Sequence, residues 1–141
     1  MNRLVVDASV VVKWFLPEAL AEAALRLAAS DRVFLAPELL GAEVANALWK
    51  KQLRREVDGT SAAGILESFR RVAIETFALM PLPPAAFAIA SAAGHSVYDC
   101  LYLALAEREE CPLVTADRRF NQAFAGGHLG HRMLWIEAFK S

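Results

Sequence analysis

Short apolar runs alternate along this chain with longer segments of helix-forming residues. An unbroken apolar run predicts a strand buried on both faces, as in a parallel sheet. Such runs occupy residues 4–6, 33–36, 111–116 and 132–136. Helices are predicted over residues 17–29, 37–53, 60–77, 84 onward, 96–109 and 117–124, with a short helix capped by Ser9, an extended piece at 79–83 and a loop at 126–131.

Strands that are separated by helices form right-handed crossovers in a parallel sheet. The predicted fold class is therefore α/β, a three-layer α/β/α sandwich with a central parallel sheet. The chain has 141 residues, of which 56% are hydrophobic and 22% are charged, so it can bury one sizeable core. We expect a single domain over residues 1–141.

Charge, cysteine content and the N-terminal run indicate which ligands and which cellular compartment the chain fits. The formal net charge of -1 excludes a uniformly basic nucleic-acid coat, so a polyanion would have to meet a local patch or a bound cation. Cys100 and Cys111 allow one disulfide at most, which favours a reducing cytoplasm. Asp7 and Lys13 interrupt the apolar N-terminal run before it could span a membrane, so we expect a cytoplasmic protein without membrane association.

Four acidic residues occupy positions where polar side chains are unexpected. Asp7 and Asp117 follow predicted strands, and the carboxyl ends of strands form the ligand crevice of open α/β sheets. At about 100° per residue, Glu43 shares the apolar stripe of its helix with Leu40. Asp99 lies in a helix that is apolar nearly all the way round. Asp7 and Asp117 are therefore predicted at the crevice, and Glu43 and Asp99 are predicted to point inward from their helices.

Each of these acids also has a structural interpretation of its own. Asp99 stands three residues after Ser96, a capping-box position, and Asp7 could simply end a strand. As a group they favour a cation, because two carboxylates about 4 Å apart repel each other by ~4 kcal/mol at an effective dielectric constant of about 20. Ligation by oxygen atoms alone points to Mg²⁺ or Mn²⁺ rather than zinc.

The segments VVDASV, PELLGAEVANAL, SVYDCLYLALA and LVTADRRF, in this order, resemble a PIN-domain ribonuclease. The similarity is to the VapC-like toxins of bacterial and archaeal type II toxin–antitoxin modules, and it covers nearly the whole chain. It implies a catalytic, metal-binding cluster that consists of Asp7, Glu43, Asp99 and Asp117. It also implies supporting roles for Ser9, Asn46 and Thr115. Many relatives carry a further acidic residue where this chain has Arg118 and Arg119.

The function that this resemblance implies is a Mg²⁺-dependent endoribonuclease, with Mn²⁺ able to replace Mg²⁺. A carboxylate-held cation can activate a water molecule and stabilise charge on a phosphodiester, so the products should end in 5′-phosphate and 3′-hydroxyl groups. Candidate contacts to the RNA are the basic residues Lys13, Lys50, Lys51, Arg54, Arg55, Arg118 and Arg119, of which Lys13, Arg118 and Arg119 are favoured. The basic segment 50–55 is interpreted as a solvated helix end, because cations favour helix C-termini in any protein.

The expected partners are an RNA substrate, a small cognate antitoxin protein and a second copy of the chain in a homodimer. The antitoxin would place an amphipathic segment in a groove between the early helices and a basic side chain among the acids. The alternative is a PIN-like module that binds RNA or protein without turnover. Receiver domains and haloacid-dehalogenase-type phosphatases do not fit, because Asp7 is followed by Ala8 and Ser9 rather than by the acids that those proteins need.

Overall fold

A computed structural model describes residues 2–140 and contains, within them, five strands and seven α-helices. The strands are β1 (Arg3–Val6), β2 (Val33–Pro37), β3 (Ile74–Phe77), β4 (Leu113–Thr115) and β5 (Met133–Trp135). The helices are α1 (Ala8–Val12), α2 (Ala21–Ala28), α3 (Leu39–Leu53), α4 (Gly59–Phe69), α5 (Pro83–Ala93), α6 (Val97–Glu109) and α7 (Arg118–Ala125). The predicted α/β class and three-layer sandwich are confirmed.

The five strands form one parallel sheet in the order β3-β2-β1-β4-β5. Val5 in the central strand pairs with Leu35 on one side and with Leu113 on the other, and all three side chains are fully buried. The chain winds outward from β1 to β3 and then returns to continue from β4 to β5. The order therefore reverses between β1 and β4, which is where open α/β sheets form their binding crevice.

Helix α6 is the central helix of the fold. Seven consecutive residues, 100–106, are buried, and the helix packs against β1, β2, β4 and α5. Ser96 caps it as predicted, because its hydroxyl accepts a hydrogen bond from the Tyr98 N–H group at 3.1 Å. Even this apolar helix, like every other helix in residues 2–140, lacks the length and hydropathy needed to traverse a membrane.

Two local predictions were wrong. The helix predicted over 60–77 ends at Phe69, and Ile74–Phe77 forms the edge strand β3, which pairs with β2 in the register Phe34 to Ile74. Ile74, Thr76 and Phe77 favour a strand, and pairing with β2 stabilises it. Ser9 does not cap α1, because the Asp7 side chain occupies the capping position and accepts from the Val10 N–H group.

Candidate active site

A pocket of about 350 Å³ opens beside the ends of β1 and β4. All four predicted acids line it, and each comes from a different part of the fold: the end of β1, helix α3, helix α6 and the start of α7. These residues are Asp7, Glu43, Asp99 and Asp117. The predicted supporting residues Ser9 and Asn46 also line the pocket, as does Lys13.

Asp7 is the most buried of the acids, with 5% of its surface exposed. Three donors hold its carboxylate. The Ser9 hydroxyl donates to Oδ1 at 2.5 Å, the Thr115 hydroxyl donates to Oδ2 at 2.6 Å, and the Val10 N–H group donates to Oδ1 at 3.3 Å. The position of this carboxylate is therefore fixed from both β4 and α1.

The same two hydroxyls also join β4 to the start of α7. Ser9 Oγ accepts a hydrogen bond from the Ala116 N–H group at 3.0 Å, and Thr115 Oγ1 accepts one from the Asp117 N–H group at 3.1 Å. Each hydroxyl thus donates to Asp7 and accepts from the backbone that leads to Asp117. The two acids at the ends of β1 and β4 are consequently held in one hydrogen-bonded network.

Burial raises the pKa of Asp7 from its ordinary value of 3.8 to about 7. The hydrogen bonds from Ser9 and Thr115 act in the opposite direction, and the charge of Asp99 adds a smaller increase. Removal from water is thus a larger cause than repulsion between carboxylates. A cation placed in the pocket would favour the ionised form of this acid near neutral pH.

Glu43 lies half-buried on α3 and faces Tyr102 of α6. Burial raises the pKa of Glu43, the nearby Tyr102 hydroxyl lowers it, and the charge of Asp99 raises it further. The Tyr102 hydroxyl is buried and, within residues 2–140, forms no hydrogen bond. The sequence analysis did not identify Tyr102 as a site residue.

Asp99 has a partner that the sequence analysis missed. His95 Nε2 lies 2.7 Å from Asp99 Oδ2, and the histidine ring stacks on Phe120 with a centroid separation of 5.3 Å. Burial raises the pKa of Asp99, while the hydrogen bond and charge of His95 lower it. His95 precedes α6, so helical periodicity gave no reason to place it on the same face as Asp99.

Asp117 caps α7 and accepts hydrogen bonds from the Arg119 and Phe120 N–H groups at 3.0 and 3.3 Å. A smaller pocket of about 280 Å³ lies on its other side and is lined by Arg119, Asp99 and Asp117. The Arg118 guanidinium instead lies 4.9 Å from the Trp135 ring centroid. Of the two predicted arginine contacts, only Arg119 therefore lines a cavity next to the acids.

A group of basic side chains forms one wall of the acidic pocket. Lys13 Nζ lies 2.9 Å from Glu18 Oε1, and Lys51 pairs with the other oxygen of the same carboxylate. Burial raises the pKa of Glu18, but the two lysines outweigh burial and hold that pKa below its usual value. The interpretation of 50–55 as a solvated helix end was wrong for Lys51, whose side chain is 15% exposed and pairs with Glu18. Lys50 is exposed, as expected, and also lines the pocket.

The donor set of the pocket fits a hard divalent cation. The four acidic side chains offer carboxylate oxygens, which hard cations prefer. Asp7 follows β1 and Asp117 follows β4, the two strands between which the strand order reverses. Within residues 2–140, no group of three or more His, Cys, Asp or Glu side chains is arranged so that it could hold a metal ion. Mg²⁺ does not need three protein ligands, since it usually keeps several waters and takes only one or two carboxylates directly.

Comparison with known proteins identifies the relatives of this chain. The family model for the PIN domain matches residues 4–124. Ribonuclease VapC3 of Pyrobaculum aerophilum is 34% identical over 126 residues, which cover 86% of this chain and 95% of that protein. The VapC ribonuclease Mb0985 of Mycobacterium bovis is 32% identical over 118 residues, which cover 84% of this chain and 88% of that protein.

Solved structures share the fold at lower sequence identity. A crystal structure of a Pyrobaculum aerophilum protein gives a TM-score of 0.68 at 24% identity and covers 96% of this chain and 84% of that one. VapC20 of Mycobacterium tuberculosis, a toxin that cleaves the sarcin-ricin loop, gives a TM-score of 0.67 at 16% identity and covers 86% of this chain and 95% of that one. These similarities support the three-layer architecture.

Proposed function

The chain belongs to the PIN-domain family and has VapC ribonucleases among its relatives, and from that premise we propose that it is a Mg²⁺-dependent endoribonuclease and the toxin of a toxin–antitoxin module. One observation carries the proposal. Four carboxylates that are far apart in the sequence line a single pocket where the strand order reverses. Mn²⁺ is expected to replace Mg²⁺, because both prefer oxygen ligands.

In the proposed phosphodiester hydrolysis, the pocket residues hold the cation or position the side chains that hold it. Asp7 presents a carboxylate whose position is fixed by Ser9 and Thr115, and Glu43 and Asp99 face the same space from two helices. When bound, Mg²⁺ would lower the pKa of a water molecule and stabilise negative charge on the phosphodiester. Because water rather than the ribose hydroxyl is the nucleophile, the products should carry 5′-phosphate and 3′-hydroxyl ends.

The lysines that line the acidic pocket supply positive charge that can attract the phosphates of an RNA strand. The chain as a whole is nearly neutral, so RNA phosphates must be attracted locally. Lys13, Lys50 and Lys51 line the pocket that holds the acids, which places ammonium groups next to the proposed cleavage site. We propose these three lysines, together with Arg119, as contacts to the phosphates that flank the scissile bond.

A cognate antitoxin fits a second groove close to the acidic pocket. This groove, of about 390 Å³, is lined by apolar side chains that include Trp14, Phe15, Leu16 and Leu25. Lys13 lines both cavities, so a segment seated in the groove ends near the acids. We propose that an amphipathic antitoxin segment binds here and places an arginine or lysine among the carboxylates, which would exclude both cation and substrate.

We also propose that two copies of the chain associate. The large apolar side chains of Met80, Phe87 and Tyr98 are exposed on and around α5 and the start of α6. A second copy would remove this surface from water. Light scattering after size exclusion would show a mass of twice 15.4 kDa.

The nuclease proposal is tested with the purified chain free of antitoxin and a mixed RNA pool. Wild-type protein should cleave with Mg²⁺ or Mn²⁺ and stop when the metal is chelated. Asp99→Asn should abolish cleavage, whereas Asp31→Asn, which changes an exposed acid outside the pocket, should not. RNA binding without cleavage by the wild type would instead favour the module without turnover.

A further inference from the structure

The hydroxyl group of Tyr102, on the helix that carries Asp99, is a buried polar group whose burial has no structural explanation. The residue is 0% exposed, and its hydroxyl oxygen has no hydrogen-bond partner in residues 2–140. A buried polar group without a partner destabilises a folded protein, and such groups are uncommon in native structures. The hydroxyl thus has a cost that the free protein does not offset.

Packing does not explain the hydroxyl, because a phenylalanine ring would fill nearly the same volume. Thr115 offers an instructive comparison, since it is also fully buried and its hydroxyl donates to Asp7 at 2.6 Å. Two buried hydroxyls therefore stand beside two acids of the same pocket. The one beside Asp7 forms a hydrogen bond of 2.6 Å, whereas the one facing Glu43 interacts with that carboxylate without a hydrogen bond of normal geometry.

The position of Tyr102 connects two of the acids. It lies three residues after Asp99 on α6, so both side chains project from one face of that helix. Across the gap it faces Glu43 of α3, whose pKa its hydroxyl lowers. Glu43 is half-buried and has more freedom than Asp7, which three donors hold.

We propose that Tyr102 is a positioning residue for Glu43. When the Glu43 carboxylate is ionised and engaged with a divalent cation, the Tyr102 hydroxyl donates a hydrogen bond to it and fixes its orientation. A hydrogen bond to a charged acceptor is stronger than one to a neutral acceptor, so the bond forms most favourably in the loaded site. This inference rests on the proposed metal-dependent function and adds a residue to it.

The test is Tyr102→Phe, with Tyr98→Phe as the matched control. Tyr98 is the other tyrosine of the chain, it lies on the same helix, and it is 63% exposed. Calorimetric titration with Mn²⁺ and thermal unfolding in chelator are measured on the full chain. Tyr102→Phe should lower Mn²⁺ affinity by roughly 10–100-fold, as the loss of a partner behind a metal ligand usually does.

The thermal measurement separates a positioning role from a packing role. Because the hydroxyl forms no hydrogen bond of normal geometry in the free protein, chelated Tyr102→Phe should melt close to the wild-type temperature. Tyr98→Phe should change neither quantity. A lower melting temperature that accompanies the affinity loss would make Tyr102 a structural residue and overturn the inference, as would Mn²⁺ affinity within twofold of the wild type.

Cleavage assays on the same samples distinguish this inference from the proposed function. If the wild type binds Mn²⁺ but cleaves no RNA, the nuclease proposal fails. The Mn²⁺ affinities of wild type and Tyr102→Phe still show whether Tyr102 positions Glu43. If the wild type cleaves RNA and Tyr102→Phe matches it in both Mn²⁺ affinity and rate, only the role of Tyr102 is overturned. Failure of the wild type to bind Mn²⁺ at all would overturn both.

Discussion

In the absence of metal, replacing Asp7 with asparagine should make the protein more stable at pH 8. Burial raises the pKa of this carboxyl to about 7, against an ordinary value of 3.8. At pH 8 the folded chain must therefore hold a buried charge that the unfolded chain holds in water. Converted to free energy, this difference opposes folding by about 4 kcal/mol, and asparagine removes it.

The pH dependence has a definite sign. A carboxyl whose pKa is raised on folding contributes stability at low pH and loses it as pH rises through its folded pKa. For Asp7 the change occurs between about pH 4 and pH 7. The difference in stability between Asp7→Asn and wild type should fall from about 4 kcal/mol at pH 8 to about 2 kcal/mol at pH 5. The wild type itself should become more stable on acidification over this range.

Urea unfolding in chelator at both pH values measures these differences directly. Asp31→Asn is the control, because it removes an exposed carboxylate and should change stability little at either pH. Mg²⁺ should narrow the difference at pH 8, since the wild type would gain about 2.7 kcal/mol by binding it at about 100 times its Kd. If chelated Asp7→Asn were less stable than wild type at pH 8, burial of the charge would not be the dominant effect at this position.

Two further substitutions test the surroundings of the site. Thr115→Val removes a hydrogen bond to the Asp7 carboxylate, so chelated protein should lose about 1.5–3 kcal/mol of stability at pH 8 by urea unfolding, and cleavage should fall with it. Glu18→Gln frees Lys13 and Lys51 from their shared carboxylate, so that both can contact RNA phosphates. In chelator the variant should therefore bind RNA more tightly, and the slope of log K against log salt concentration should be steeper by about one. An unchanged salt slope in fluorescence anisotropy would place those lysines outside the RNA contact.

The convergence of the four acids could be predicted because it follows from regular features of the chain. The buried strands read as unbroken apolar runs, and in a parallel sheet their carboxyl ends meet at one edge. This places Asp7 and Asp117 at the ends of the neighbouring strands β1 and β4. Helical periodicity then turns Glu43 and Asp99 toward the interior. These steps need only the local pattern of apolar residues and the rule that the carboxyl ends of parallel strands meet at one edge of the sheet.

The missed features depend on contacts between distant parts of the chain. Glu18 pairs with Lys51, 33 residues away, and nothing near either residue indicates the other. Strand β3 escaped notice because it lies at the sheet edge, where Glu75 and Thr76 are exposed and interrupt the apolar pattern. The buried hydroxyl of Tyr102 likewise becomes visible only in the folded chain, where Tyr102 and Glu43 meet.

The unfavourable features of this fold are concentrated in one pocket, and that concentration constrains how the protein can be inhibited. Asp7 is buried as an acid, several carboxylates share the same space, and a hydroxyl facing Glu43 lacks a partner. A divalent cation would relieve the first two, and so would the guanidinium or ammonium group that we propose an antitoxin inserts. Both the cation and the basic group would stabilise the folded protein by neutralising the same carboxylates. Their contributions to the free energy of unfolding at this pocket are therefore not additive. An antitoxin that reaches the acids therefore competes with the metal itself and needs no separate device to block RNA.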